Sequence, residues 1–404
     1  MNLEYSFQAP SAGAAGGLAE PLLVLPVTND GVVIMDVTSY LHRTIIHGKG
    51  TFRDEKGVLV TVTAKNAKVE VHTDAPGGGR IQRLVVRGRA ANASVTVTTH
   101  GGHTRAEYIG ITGQLGSFNA RTTDLLGDMD IARGLTKLHL GNVSGEHVID
   151  IGTPLKPKAA VSITLGRVAD LSIRTDTPIR SLKVVDWRDT GGLGDRLEAP
   201  WVGKLFATGV KKGLPGHFQA DLLLAGTGNK KPALGSARIA GDMTGAQWAI
   251  TGRTGKITVL GKVADSTVRA TGSIAGLALG AAESSDFLAG VAEGVARHAA
   301  SAEDFVNAAS IKNVKITGLK NAPGITRFFA DTNFSAASIG AVSLLNADFD
   351  NGNVTFGLFA RSTGTGREIK SVRYLDTITG ERWQYPPRKG DVFVAPGDLV
   401  IEII

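Results

Sequence analysis

The sequence contains no cysteine, which removes disulfides, thiolate metal sites and cysteine catalysis together. Aromatic residues make up 6% of the 404 residues and charged residues 20%. Valine, isoleucine, leucine, alanine and glycine are left to fill whatever core there is, and they suit a narrow one. No apolar run reaches the length of a membrane span, so membrane insertion is not expected. Residues 1–17 lack the charged head and apolar middle of a signal peptide. Glycine is abundant, at 52 residues, but follows no Gly-X-Y period, which excludes collagen. The Gly77-Gly78-Gly79 run introduces no helix and no Walker-type motif is present, so nucleotide binding is not expected.

What the sequence does have is a period. In the stretch 234–280, sliding by twenty residues aligns Ala237 with Ile257 and Leu277, and Ile239 with Val259 and Leu279. The same slide aligns Met243 with Val263, Trp248 with Val268, and Gly235, Gly241 and Gly252 with Gly255, Gly261 and Gly272. Repeats of this length mean stacked units. Apolar residues alternate within each unit, which is the strand period. The corner 163–170 also resembles 257–265: each has a Gly, a base, an inward Val and then Ala-Asp. These patterns predict an all-β chain folded as a parallel β-solenoid, or β-helix, with rungs of about twenty residues.

Taken in order, the chain reads as a flexible lead-in over 1–20, an N-terminal β cap over 21–76, a solenoid body over 77–360 and a C-terminal β cap over 361–404. The cap begins with short strands at 22–27 and 32–37 around an Asp-Gly turn. A cap is needed because an open first rung is a sticky edge. Within the body, 281–309 has helical spacing at Phe287, Leu288, Val291 and Val295, with Ser284 or Ser285 as cap. A short helical excursion near 284–309 is therefore expected, followed by a second short helix from about Ala302 with Phe305 and Val306 as its buried face.

The runs SSDFLAGV, ASIKNVKITG, ASIGAVSLLNADFDNGNVTFGLFA, GREIKSVRYLDTITGERWQYP and GDLVIEII resemble the C-terminal part of large secreted, repeat-rich surface proteins of the planctomycete type. The resemblance covers roughly 234–404. It implies a surface-exposed solenoid with a structural or adhesive role, and it carries no catalytic residues over.

Candidate chemistry lies in the interruptions of the repeat. The loop 186–200 gathers Asp186, Asp189 and Asp195 with Arg188 and Arg196. Paired carboxylates, or a base beside a group that neutralises a sugar carboxylate, are what a glycoside hydrolase or a polysaccharide lyase needs. The bland alternative is a polar loop with local ion pairs. Asp348, Asp350 and Asn353 begin like a calcium loop, but Gly352 stands where a ligand is due and no acidic residue closes it. Calcium is thus the one ion raised, and no cofactor is otherwise expected. His100 and His103 lack a third ligand.

The net charge is +7, and Lys204, Lys211, Lys212, Lys230, Lys231, Lys256 and Lys262 enrich the middle of the chain. The twenty-residue register sets Asp242 beside Lys262, which predicts mixed surface charge rather than a polyanion track. The basic residues lack interleaved aromatics, so nucleic acid is not an expected partner. The sequence reading is a non-enzymatic structural or adhesive protein at a cell surface or outside the cell. Its expected partners are polysaccharide, cell-wall glycan or neighbouring copies of itself, with a polysaccharide lyase or glycoside hydrolase as the alternative.

Overall fold

The computed structural model describes residues 41–154, 156–228, 231–320, 324, 326–386 and 393–404, together with the backbone of 22–24 and 34–36. The expected lead-in over 1–20 and the turn over 28–31 lie outside the described residues. Leu22–Val24 and Ile34–Asp36 pair antiparallel.

The chain is a parallel β-solenoid. From residue 84 to residue 375 it visits three ladders in rotation. The first ladder runs through Met129–Ile131, 149–151, 173–175, Arg196–Ala199, Asp221–Leu224, Gln247–Ile250, Thr267–Ala270, 286–289 and 334–336, and on to Phe356–Ala360 and Leu399–Ile403. The second runs through Lys137–Leu140, Val161–Thr164, Ile179–Val184, Val202–Ala207, Leu234–Ile239, 254–259, 274–279, Ser310–Ile316, Ser338–Leu345 and Ile369–Leu375. The third is shorter and includes Thr123–Leu125, 167–169, Asp186–Arg188, Met243–Thr244 and 262–264.

The register is the one the period demands. Ala237 pairs with Ile257 and Ile257 with Leu277, while Ile239, Val259 and Leu279 form the next inward column. All six are at most 2% exposed. Trp248 sits on Val268, and Met243 on Val263. The recurring Ala-Asp corner is also real geometry. Asp170 and Asp265 both take the left-handed conformation, at φ 61° and 50°, where the chain turns from the third ladder to the first. Ser284 and Asp331 do the same at φ 46° and 38°. Asp tolerates this region because its short polar side chain bonds locally.

The ends are antiparallel. His42–Ile46 pairs with Ala67–Ala75, Lys49–Arg53 with Leu59–Lys65, and both Leu59–Lys65 and Ala67–Ala75 with the long strand Gly78–His100. Glu70 is buried there between Arg43 and Lys68, each 2.8 Å away, and the hydrogen bond from Lys68 leads in holding its carboxyl down to about 2. At the other end the parallel ladders continue past residue 360. They are closed by Arg382–Tyr385, antiparallel to Ile369–Leu375, over packed rings of Phe349, Tyr374, Trp383 and Phe393.

The expected helical excursion is not present. Ile274–Ala289 is continuous strand, and the loop after it contains one 3-10 turn, Ala302–Asp304. The helical spacing came from a strand end followed by a bend. Phe287 faces the core on Val268 and stacks on Phe334, whereas Leu288 faces the other way and is covered by Val291, Ala299 and Phe305 of the loop. Val306, expected on a buried helix face, is 60% exposed. Ser284, read as a helix cap, is the left-handed corner residue instead.

Candidate functional site

The entry to the third ladder is a column of polar residues, each bonding to the rung above. Asp124 Oδ1 accepts the Asn142 N–H at 2.7 Å, and Asn142 Oδ1 accepts that of Arg167 at 2.9 Å. Asp186 Oδ1 accepts the His217 N–H at 2.6 Å. His217 Nδ1 accepts the Asp242 N–H at 3.0 Å, and Asp242 Oδ1 that of Lys262 at 2.7 Å. These corner groups satisfy backbone donors that the bend leaves unpaired. Asp186 is thereby committed to the stack. It is 4% exposed, and its second oxygen takes Arg188 Nε at 2.8 Å.

Asp189 and Asp195 go elsewhere. The loop between Asp186–Arg188 and Arg196–Ala199 folds back over two earlier rungs, and the carboxylates of those rungs grip its main chain. Asp170 accepts the Gly191 N–H at 2.6 Å and the Thr190 hydroxyl at 2.8 Å, along with the Thr190 N–H. Burial pushes the Asp170 carboxyl up, but these bonds outweigh it and hold the group below the usual range. Glu146 accepts the Gly192 N–H at 2.7 Å. A Cβ on Gly191 would lie 2.7 Å from that Glu146 oxygen, so a larger residue here would push the Glu146 side chain aside.

Asp170, Asp189 and Asp195 each bring an oxygen within 4.8 Å of the others. Beside them is a groove of about 290 Å³, lined by Asp170, Asp195, Glu146, His147, Arg174 and Arg196, among others. Its rim carries Leu193, which is 71% exposed. The carboxylates in this cluster fit one cation by distance, and each already accepts at least one hydrogen bond. Asp195 is 3% exposed, accepts the Trp187 indole N–H at 2.7 Å, and is also reached by the Leu171 N–H. Asp189 accepts the Asp195 N–H at 3.3 Å. Sequence reasoning named Asp189, Asp195 and Arg196 but used Asp170 only as a corner and missed Glu146. The available signal was spacing: Asp170 lies one rung before Thr190.

Burial pushes the Asp195 carboxyl up to about 7, with the charges of Asp189 and Asp170 adding to it. The folded state therefore holds this proton more tightly than the unfolded chain, whose value is near 3.8. Below about pH 4 the group costs nothing, because both states are protonated. The cost grows as pH rises and is complete above about 7. Asp195→Asn, which still accepts the indole N–H, should match the parent at pH 4. By pH 8 it should be more stable by up to about 4 kcal/mol. Paired denaturation curves across that range check this, and a constant offset at all pH values would contradict it.

The other candidates stay apart. Asp348 Oδ1 accepts the Asp350 N–H and Asp350 Oδ1 the Gly352 N–H, both at 3.3 Å, so each carboxylate caps its own turn. The Asn353 N–H is held by Asp398 at 3.0 Å. His103 pairs with Asp124 at 2.8 Å, and His100 is exposed at the end of its strand. No family model, no curated protein and no solved structure matches this chain.

Proposed function

We propose that the protein is a rigid, non-catalytic rod exposed at a cell surface or outside the cell, with a structural or adhesive role, and that it holds glycan chains along its flank. The observation that carries this reading is the state of the loop carboxylates. Asp170, Asp189 and Glu146 accept hydrogen bonds from main chain within the loop itself, and Asp195 accepts the indole N–H of Trp187. They act as a clasp, and the loop they fix leaves the second ladder unobstructed. The resemblance of 234–404 to repeat-rich surface proteins supports the same role. Neighbouring copies of the chain are the other class of partner.

A second reading, a glycoside hydrolase, is favoured by one feature. Asp195 is a carboxylic acid near neutrality beside the carboxylate of Asp189, and such a split is the basis of acid–base catalysis on sugars. A polysaccharide panel scored for both retention and cleavage separates the two. Retention without shortened products is the expected result. Cleavage that Asp189→Ala or Asp195→Asn abolishes would establish the hydrolase instead. Retention of no glycan at all would leave self-association as the surviving account.

A further inference from the structure

The outward side of the second ladder carries charge of one sign. From Lys137–Leu140 to Ile369–Leu375, counting 254–259 and 274–279 of the two longer strands, its ten strands bear ten Lys or Arg residues and no Asp or Glu. Four consecutive rungs place exposed cations at Lys183, Lys204, Arg238 and Lys256. They zigzag between two neighbouring columns, one through Lys183, Phe206 and Arg238, the other through Lys204, Ser236 and Lys256. Among the described residues none of the four has an ion-pair or side-chain hydrogen-bond partner.

The rest of the surface behaves differently. On the first ladder Arg174 lies between Asp150 and Glu198, and Arg196 beside Asp221. On the third, Lys262 pairs with Glu283 at 2.8 Å. The mixed charge expected from Asp242 and Lys262 thus describes the first and third ladders and not the second. Ten of the chain's 44 Lys and Arg residues lie on this strip, with no Asp or Glu among them.

We infer that the outward strip of the second ladder binds an extended polyuronate chain lying along the solenoid axis. This rests on the glycan-binding reading above and names the class of glycan. Rungs repeat at roughly 4.8 Å, so the central strip offers about one cation per such step. An extended pyranose chain advances by a similar length per sugar, and a polyuronate carries one carboxylate on each. Between the cations the columns hold Ser236 and Thr258, whose hydroxyls suit sugar hydroxyls. Single-stranded nucleic acid would require a row of aromatic platforms for its bases, and the strip has Phe206 alone in its central rungs.

The test is binding of polygalacturonate, neutral dextran and a single-stranded oligonucleotide to the full chain at several salt concentrations. Polygalacturonate should bind best, with affinity falling steeply as salt rises. Replacing Lys183, Lys204, Arg238 and Lys256 together by Glu should weaken it by about a hundredfold or more. A control of equal charge change, Lys49→Glu, Lys65→Glu, Lys211→Glu and Arg361→Glu, should stay within about threefold of the parent. If the reversed strip fails to fold, the four Gln substitutions replace it, with an expected loss of about tenfold. Equal losses in strip and control would overturn the proposal in favour of net charge alone. Tighter binding of the oligonucleotide would overturn it too. Retention of dextran without polygalacturonate would remove the polyuronate assignment and leave glycan binding standing; retention of neither would remove both.

Discussion

Val259→Asp unfolds the middle of the solenoid. Val259 is 1% exposed and lies in an inward column between Ile239 and Leu279, themselves fully buried. A carboxylate placed there meets aliphatic carbon above and below and no donor. Leaving it charged is prohibitive, and protonating it still strands a polar group in a dry column. The cost should exceed about 4 kcal/mol at neutral pH, beyond the ordinary range of point substitutions. Rungs contact only their neighbours, so damage should spread from 254–259 to the rungs either side before it reaches the caps. Hydrogen exchange resolved by segment reads this directly: protection should collapse over 234–279 and persist longest near the ends. Acidification toward pH 4 should recover part of it, because a protonated side chain is less costly to bury. A variant with parental melting and protection would mean that Val259 does not face the core.

The second large effect is expected at a glycine. Gly203, Gly235 and Gly255 follow one another on successive rungs of the second ladder, where the backbones approach too closely for a side chain. A Cβ on Gly255 would fall 1.7 Å from the carbonyl oxygen of Gly235, and one on Gly235 would fall 2.2 Å from that of Gly203. The obstructing atoms are main chain in a hydrogen-bonded ladder, so they cannot rotate aside. Gly255→Val should therefore force two rungs apart, at about 3 kcal/mol or more. Gly294→Ala is the matched control. Nothing lies within 4 Å of its Cβ position and its backbone is not left-handed, so a change within about 0.5 kcal/mol is expected. Melting of both variants alongside the parent decides the matter, and indistinguishable curves would refute the close approach.

The carboxylate loop shows the boundary of sequence reasoning well. Asp186, Asp189 and Asp195 are neighbours in the chain and look alike in it. Their roles diverge because the strand Asp186–Arg188 turns one of them into the corner stack while the loop carries the other two back over earlier rungs. Glu146 is 46 residues from the Gly192 N–H it binds, so no local pattern points to it. The helical expectation near residue 284 failed for a related reason. A strand end with residues buried on both sides, followed by a bend, copies the spacing of an amphipathic helix. Only the loop that covers Leu288 distinguishes the two.

The sequence by itself determined the solenoid, its inward columns in 234–280 and its recurring Ala-Asp corner. A stacked fold writes its period into the chain wherever successive rungs have equal length, and burial keeps each inward position apolar. Tertiary structure decided which outward residues share a face. Lys183, Lys204, Arg238 and Lys256 are separated by unequal chain lengths, since loops of different size leave at the corners, yet they arrive on four consecutive rungs of one ladder. The rung spacing in space is fixed by backbone hydrogen bonds, whereas the number of residues per rung is free. The charge of a face is therefore invisible until the rungs are stacked.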